Sequence, residues 1–493
     1  TIRRTSSIGE LMIILGTNSI KDTGFDVANS LRFNSGSSDY LTFVPSNATS
    51  NQKTWTVSCW VKRSKLGTNQ YVWGVNGDTS GHYFTELLFN SSDQLEFRQG
   101  GTVGDPYETQ YITNRLFRDV SAWSNIVIAA DTTDGTEADR LKIWINGVQE
   151  TSFATTNHPS VNETYRWHFV NGSDYPHSIG RSGRHNTNYF DGYIAEWIDV
   201  DGSQLAADSF GEFDEDSGIW KPIDVSGLTL GTNGAYLDFE DSSALGNSSN
   251  SNNYTANNLT AIDQTTDTCT NNFALANPLN VNASNVGTFA FGNTTVKVAN
   301  SSGFSFGSSS TLGMTTGKFY CEAKIITVDA TLVGVSANVA EDARDNYPPG
   351  VQGGAQSVGI LVSSGNKYID DSGTTHGAAL SADDILMIAL DLDNNNVYFG
   401  KDGNWFDGSG NADESSPNSA IAVTAVGSTA EGAYFFSFGD GGGSAKGKVS
   451  WNFGNASHAI SSGNTDGDGF GNFEFAVPSG YFALCTKNLA EYG

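Results

Sequence analysis

The sequence predicts an all-β protein with two β-sandwich domains in tandem, an ordered connector and short terminal extensions. Apolar runs of strand length recur along the chain, and clusters of turn-forming residues separate them. The chain holds 56 Gly among 493 residues, and charged residues make up 16% of it. An average globular protein has about 25% charged residues. This composition is typical of short strands joined by polar turns rather than of helices.

The chain is long enough for two to four domains at about 150 residues per domain. The predicted segments are an N-terminal attachment arm over residues 1–24, a first sandwich over 25–213, a connector over 214–285, a second sandwich over 286–454 and a C-terminal extension over 455–493.

The N-terminal arm differs from the rest of the chain. Ser7 and Glu10 have the spacing of a helix capping box, and an apolar cluster follows them. The cluster predicts a short helix or strand that docks on another subunit, with packing on its own domain as the alternative. The predicted assembly residues are Ile8, Leu11, Ile13, Ile14 and Leu15.

The first sandwich is indicated by three segments. The alternation of Trp55, Val57, Cys59 and Val61 predicts a strand with one apolar face, and Asn146-Gly147 predicts a tight hairpin. The "W-x-x-x-x-W-V" strand at 55–61, the "L-K-I-W-I-N-G" hairpin at 141–147 and the "F-D-G-Y-I-A-E" strand at 190–196 resemble laminin-G and pentraxin-type domains. The resemblance implies a concanavalin A-like jelly roll.

The second sandwich is indicated by a hairpin. Apolar runs at 385–392 and 397–399 flank the polar turn 393–396, and residues 401–404 supply a second turn. With the upstream strands these segments resemble the SPRY domain, a bent β-sandwich used for binding. Both halves are therefore expected to be lectin-like jelly-roll sandwiches.

The order of the modules carries a further resemblance. Between the sandwiches, Trp220, Tyr236, Leu237 and Phe239 predict a connector anchored on the first domain. The chain closes with "P-S-G-Y-x-A-L-C-T-x-N-L" at 478–489. The modules and this ending together resemble structural proteins of marine tailed bacteriophages, which implies a virion location as a tail-fibre, head-fibre or decoration subunit.

Charge limits the class of partner. The chain carries 54 acidic and 26 basic residues, for a net charge of −28, which disfavours nucleic acid and anionic membranes. No apolar run reaches the roughly 18 residues that a membrane helix needs, so membrane insertion is not expected. We expect other virion proteins, a host-surface glycan and further copies of this chain as partners.

Catalysis is not expected. A laminarinase-like site needs paired carboxylates, typically as E-x-D-x-x-E on one strand. The nearest acidic strand, with Glu196, Asp199 and Asp201, splits its carboxylates between two faces. His158, His168, His177 and His185 are expected to be solvated loop residues. The alternatives to a virion protein are a bacterial surface or extracellular adhesin and a polysaccharide-degrading enzyme with an unfamiliar site.

One loop suggests a cation site. Asp131, Asp134 and Asp139 lie between two predicted strands, and carboxylate oxygens from one loop are ligands that Ca²⁺ prefers. A solvated acidic turn is the alternative. No other cofactor is expected.

Aromatic side chains near loops and strand ends are the candidate ligand platforms, because sugar C–H faces stack on rings. The candidates are Trp73, Tyr107, Tyr111, Tyr347 and Trp405. Tyr347 precedes Pro348-Pro349, which would rigidify its loop. Tyr347 and Trp405 are expected to be at least partly exposed, with core packing as the alternative for every candidate.

Overall fold

The computed structural model describes residues 23–45, 51–76, 83–100, 107–168, 176–183, 185, 187–299, 303–443 and 445–493. The predicted assembly residues Ile8, Leu11, Ile13, Ile14 and Leu15 lie outside these ranges, so the attachment arm stays a prediction. The remaining chain divides into a first unit that ends at Asn272 and a second unit that begins at Phe273. Strands dominate both units, which confirms the all-β prediction.

The first unit consists of short antiparallel strands. They are β1 (Ser30–Phe33), β2 (Tyr40–Phe43), β3 (Thr54–Arg63), β4 (Gln70–Asn76), β5 (Phe84–Phe89), β6 (Gln94–Gly100), β7 (Thr109–Leu116), β8 (Ser124–Asp131), β9 (Leu141–Ile145), β10 (Val148–Gln149), β11 (Phe153–Asn157), β12 (His177–Ile179), β13 (Gly192–Asp201), β14 (Gly211–Phe213), β15 (Trp220–Pro222), β16 (Ala235–Leu237), β17 (Thr255–Asn257) and β18 (Gln264–Thr265).

These strands form two large sheets with an apolar core. Sheet I has the order β10-β9-β8-β3-β13-β1-β18, with β16 paired to β13. Sheet II has the order β11-β7-β6-β5-β4-β12-β2-β17. Trp55, Val57, Cys59 and Val61 all lie in the core, as their alternation predicted. The Asn146-Gly147 hairpin is also confirmed: both residues have positive φ, and they join β9 to β10.

The second unit is built in the same way. Its strands and helices are β19 (Thr288–Ala290), β20 (Thr295–Lys297), β21 (Ser305–Ser309), β22 (Lys318–Thr327), β23 (Thr331–Ser336), α1 (Val339–Asp345), β24 (Ser357–Leu361), β25 (Asn366–Ile369), β26 (Ser372–Thr374), β27 (Ile385–Asp391), β28 (Asn396–Lys401), β29 (Asn404–Phe406), β30 (Ala412–Glu414), β31 (Ile421–Ala422), β32 (Phe435–Asp440), β33 (Lys448–Asn452), β34 (Phe482–Ala483) and α2 (Thr486–Tyr492).

Two sheets enclose the main core of this unit. Sheet III has the order β19-β20-β33-β22-β27-β28-β29-β30, and sheet IV has the order β21-β32-β23-β24-β25-β26. The predicted hairpin is confirmed, since β27 pairs with β28 around a turn at residues 392–395. Asp402 and Gly403, both with positive φ, form the second predicted turn, between β28 and β29.

The boundary between the units falls inside the segment that was predicted to be a connector. Its first part supplies β16, β17 and β18, which pair with β13, β2 and β1 of the first unit. Residues from Phe273 onward belong to the second unit. Strand pairing with these partners satisfies the backbone groups of an Asn-rich segment with little apolar content of its own.

The C-terminal segment forms a second layer over sheet III. Alternation along β22 and β27 sends Phe319 and Ile388 into the main core and Tyr320 and Met387 to the outer face. That outer face packs against aromatic and small apolar residues of the C-terminal segment: Phe473, Tyr481, Ala483 and Cys485. The segment 455–493 is therefore part of the packed unit rather than an appendage.

A buried carboxylate, that of Asp466, anchors this C-terminal layer. Asp466 accepts hydrogen bonds through Oδ2 from the Ala483 amide at 2.9 Å and from Asn488 Nδ2 at 2.8 Å. Its Oδ1 accepts from the amides of Asp468 and Phe470 at 3.0 and 2.9 Å. The "D-G-D-G" turn at 466–469 is thus tied to β34 and α2.

No helix among the described residues is long and apolar enough to cross a membrane.

Candidate functional site

Polar side chains form a row across the outer face of sheet II. Alternation along the strands places Leu87 and Phe97 in the core and turns their neighbours outward. Residues directly opposite one another on adjacent strands form the row, which runs through Thr42, Ser178, Gly74, Glu86, Arg98 and Gln110. Gly74 leaves room for its neighbour, since a Cβ there would lie 2.9 Å from Glu86 Cγ. The strand register alone therefore brings an acid, a guanidinium and an amide into line.

The centre of the row is a buried ion pair. Arg98 Nη2 lies 3.2 Å from Glu86 Oε2, and its Nη1 lies 3.6 Å from Glu96 Oε1. Glu86 is fully buried, and its other oxygen accepts a hydrogen bond from Ser182 Oγ at 2.6 Å. Gln110 Nε2 donates to Glu96 at 2.9 Å. The two carboxylates and the guanidinium are thus held by one network.

Two tyrosine hydroxyls complete the network. Arg98 Nη1 donates to Tyr107 Oη at 3.2 Å, and Nη2 donates to the hydroxyl of Tyr71. Burial would lower the pKa of Arg98, but Glu86 and the tyrosines raise it above its ordinary value. Burial, helped by Glu86, raises the pKa of Tyr71 to about 12. The centre therefore holds a cation, Arg98, in a fixed position between carboxylates and tyrosine hydroxyls.

Half-buried rings lie on both sides of this centre. Tyr107 packs edge-on against Phe84, with centroids 6.2 Å apart. On the other side, the rings of Tyr40 and Tyr189 lie 6.0 Å apart, and the Arg181 guanidinium lies 3.8 Å from the Tyr40 centroid. Partly exposed rings beside fixed donors and acceptors are the elements that recognise a sugar, whose C–H faces stack and whose hydroxyls hydrogen-bond. We call this surface, from Tyr40 to Tyr107, the outer face of sheet II.

Three of the predicted aromatic platforms are buried instead. Trp73 and Tyr111 project from the inner face of sheet II into the core, where Trp73 lies 4.6 Å from the Trp167 ring. Trp405 packs under the C-terminal segment beside Tyr320, so the expectation of an exposed Trp405 is wrong. A ring enclosed on both faces has none left for a ligand.

The other two candidates remain accessible. Tyr107 belongs to the outer face of sheet II, whereas Tyr347 is half-buried in the second unit with its ring 5.4 Å from that of Phe304. Sequence reasoning missed Glu86, Arg98 and Tyr71. Their strands show polar alternation, but only the pairing register reveals that the charges face one another.

The predicted calcium loop is an acidic turn. Asp131 Oδ1 accepts from the Thr133 amide at 3.0 Å, and Asp134 Oδ1 accepts from the Thr136 amide at 2.7 Å. Asp139 pairs with Lys142 at 3.0 Å. The three carboxylates serve separate local partners, and the described parts of the chain contain no group of His, Cys, Asp or Glu suited to a metal ion.

Two of the predicted loop histidines are core residues. His168 Nε2 lies 3.0 Å from both carboxylate oxygens of Asp199, and Trp167 Nε1 donates to Asp199 at 3.0 Å. The His177 ring stacks on Trp167 with centroids 4.3 Å apart. Burial would lower the pKa of His168, but Asp199 raises it; burial lowers that of His177. Both histidines therefore lie inside the first unit rather than in solvated loops.

Glu196, on the nearest acidic strand, is a buried acid at a strained position. It has φ +48° within a register irregularity of β13, and it accepts a hydrogen bond from Tyr236 Oη at 2.9 Å. Burial raises the pKa of Glu196 to about 8 from its ordinary value of about 4.5. The folded protein thus keeps this proton over a pH range in which the unfolded chain releases it.

We expect Glu196→Gln to reduce the pH dependence of stability. Because the folded state binds the extra proton, the free energy of unfolding should fall as pH rises from about 4.5 to about 8. At about pH 8 the free energy of unfolding of the variant should be higher than that of the wild type by on the order of 1–3 kcal/mol. Urea unfolding at about pH 5 and about pH 8.5 measures this, with the exposed Glu215→Gln as control. Parallel pH profiles for the Glu196 variant and the wild type would contradict it.

No curated protein matches the chain. Among solved structures, a candidate carbohydrate binding protein from Bacteroides ovatus is similar at 15% identity and TM-score 0.30, over 47% of this chain and 59% of that one. The CBM40 of Ruminococcus gnavus IT-sialidase is similar at 15% identity and TM-score 0.26, over 32% of this chain and 80% of that one.

A third structure resembles the chain, the SPRY domain of human HERC1. It is 17% identical with a TM-score of 0.22, over 32% of this chain and 86% of that one. A family model covers part of the first unit, including strands from both of its sheets. Residues 35–197 match the Concanavalin A-like lectin/glucanases superfamily, and this part of the chain accordingly has a concanavalin A-like fold.

Proposed function

We propose that the first unit is a non-enzymatic glycan-binding module that uses the outer face of sheet II. The observation that carries the proposal is the row in which Glu86, Arg98 and Gln110 lie in register beside the half-buried ring of Tyr107. The superfamily matched by residues 35–197 includes lectins by its description. The rings provide stacking surfaces, and the half-buried Thr42 and Gln110 of the row can hydrogen-bond sugar hydroxyls. The buried pair of Glu86 and Arg98 does not reach the ligand but holds Tyr107 in place through the Arg98 hydrogen bond to its hydroxyl.

Binding fits this face better than hydrolysis does. Glycosidases need one carboxylic acid and one carboxylate acting independently on opposite sides of the glycosidic bond. Here Arg98 contacts both Glu86 and Glu96, so the two carboxylates share one cation. Incubation of the protein with a bound polysaccharide, followed by a reducing-sugar assay, should show no release above the background. Release would support the alternative of a polysaccharide-degrading enzyme.

We expect Tyr107→Ala to weaken glycan binding. Loss of an aromatic anchor typically costs about 1–3 kcal/mol, or roughly 5- to 150-fold in Kd. An array of bacterial surface polysaccharides selects the ligand, and calorimetry on the full chain gives Kd. Because Tyr107 is only half-buried, the melting temperature of the variant should differ little from that of the wild type.

Tyr347→Ala is the matched control, since Tyr347 is a half-buried tyrosine of the second unit. It should leave Kd unchanged. If Tyr347→Ala weakens binding and Tyr107→Ala does not, the glycan site belongs to the second unit and the proposal for sheet II fails.

For the whole chain we propose a structural role on the surface of a tailed-phage virion, where it would contact other virion proteins and further copies of itself. Support comes from the order of the two modules and from the ending at 478–489. In the structure, Tyr481, Leu484 and Leu489 of this ending are buried. A cryo-EM map of a purified particle that contains the chain tests the role. Detection on the bacterial cell surface without particles would favour the adhesin alternative.

A further inference from the structure

Three buried polar side chains meet at one point of the first unit. Lys62 on β3 places Nζ 2.6 Å from Asp267 Oδ2 and 2.7 Å from Asn272 Oδ1. The side chains of Lys62 and Asp267 are fully buried, and Asn272 is 8% exposed. Lys62 and Asn272 are separated by 210 positions in sequence. Tertiary folding therefore brings an amine, a carboxyl group and a carboxamide together away from water.

Each partner is held in place by further contacts. Asp267 Oδ1 accepts a hydrogen bond from Trp123 Nε1 at 3.2 Å, and Asn272 Nδ2 donates to the Ser121 carbonyl at 2.6 Å. The amine of Lys62 lies 5.2 Å from the ring centroid of Tyr193 and 6.0 Å from that of Trp123. The carboxamide thus presents its carbonyl end to the amine, and the surrounding rings exclude solvent.

We propose that Lys62 and Asn272 form an intramolecular isopeptide bond, with Asp267 as the acid–base group. The lone pair of the neutral amine attacks Asn272 Cγ, so that the Nζ–Cγ bond forms and the Cγ–Nδ2 bond breaks. Asp267 accepts a proton from Nζ and delivers it to Nδ2, which departs as ammonia. The step consumes no oxidant, reductant or co-reactant.

The surroundings favour this reaction. An amide in water resists aminolysis, but reacting groups held in contact gain effective molarities of about 10⁵–10⁸ M. Burial lowers the pKa of Lys62, although Asp267 opposes that shift, and a lowered pKa increases the fraction of neutral amine. Asp267 touches Nζ itself, where the proton must be removed.

The bond would fasten the last residues of the first unit to the middle of sheet I. Asn272 lies at the boundary of the unit, and β3 is paired on both sides, to β8 and β13. A covalent link there would close a loop over most of the unit and would resist its unravelling from this end. This inference is independent of glycan binding.

Mass spectrometry of the purified full chain tests the proposal. After incubation to constant mass, the denatured protein should weigh less than its sequence by one molecule of ammonia. A tryptic digest should contain a branched peptide that joins Lys62 to Asn272. An intact mass equal to the sequence, or a deficit of ammonia without the branched peptide, would overturn it. Loss of water with a link between Lys62 and Asp267 would overturn it as well.

Variants separate the roles of the three residues. Lys62→Arg keeps the positive charge but should show the full sequence mass, and Asp267→Asn should remain unlinked because its amide cannot accept the proton. The exposed Lys65→Arg is the matched control and should link like the wild type. A branched peptide in Asp267→Asn would overturn the acid–base role of Asp267. Circular dichroism of each variant verifies that the strands have formed.

Discussion

Replacing Trp73 with alanine should lower the free energy of unfolding of the first unit by about 3–5 kcal/mol. The indole is fully buried between the sheets, where its centroid lies 6.1 Å from Trp55, 6.1 Å from Phe97 and 4.6 Å from Trp167. Truncation would leave a cavity that three large aromatic neighbours cannot fill without leaving their rotamers. Differential scanning calorimetry of the full chain measures the effect.

Val161→Ala is the control for this prediction. Val161 belongs to the same unit and is 54% exposed, so its truncation should change stability by less than about 0.5 kcal/mol. If Trp73→Ala melts like the wild type but loses glycan binding, the ring is a ligand platform after all, and the structural assignment of Trp73 to the core is contradicted.

Replacing Glu322 with alanine should destabilise the second unit by about 3–5 kcal/mol, because it leaves buried donors without an acceptor. Glu322 Oε1 accepts from the Phe475 amide at 2.8 Å and from Tyr320 Oη at 3.0 Å. Its Oε2 accepts from the Glu474 amide and from Asn452 Nδ2, both at 3.0 Å. One carboxylate thus ties β22 and β33 to the C-terminal segment.

In Glu322→Ala the C-terminal layer of the second unit should also unfold locally. Limited proteolysis of Glu322→Ala should cut within residues 455–480 before it cuts the sheets, since that segment depends on the lost acceptor. Calorimetry gives the total loss of stability. Glu341→Ala, at an exposed position of α1, is the control and should match the wild type. A Glu322→Ala protein with wild-type melting and digestion would show that the contacts contribute little.

If the proposed glycan binding is correct, sheet II serves both stability and recognition. In sheet II, alternate residues of each strand build the core, and the residues between them form the outer face. Trp73 lies on the inner side of β4, and Arg98 lies on the outer side of β6. Substitutions on the two sides should therefore separate into losses of stability and losses of binding.

Local chemistry determined the parts of the fold that the sequence predicts well. Asn146-Gly147 and Asp402-Gly403 specify tight turns because Asn, Asp and Gly tolerate positive φ, and such a turn needs no distant partner. Alternation in β3 likewise predicted which of its residues share the core. Turns and alternation together were sufficient for the all-β class and for the main hairpins.

Tertiary structure decided which faces are covered and which distant groups meet. Alternation shows that a strand has two faces, but it does not show that the C-terminal segment covers Trp405 or that Tyr111 points inward. The register between β5 and β6 places Glu86 opposite Arg98, and folding over 210 positions brings Lys62 to Asn272. These contacts depend on pairing between strands and segments far apart in the chain. No local propensity encodes them, since the same residues in isolation are equally compatible with solvated strands.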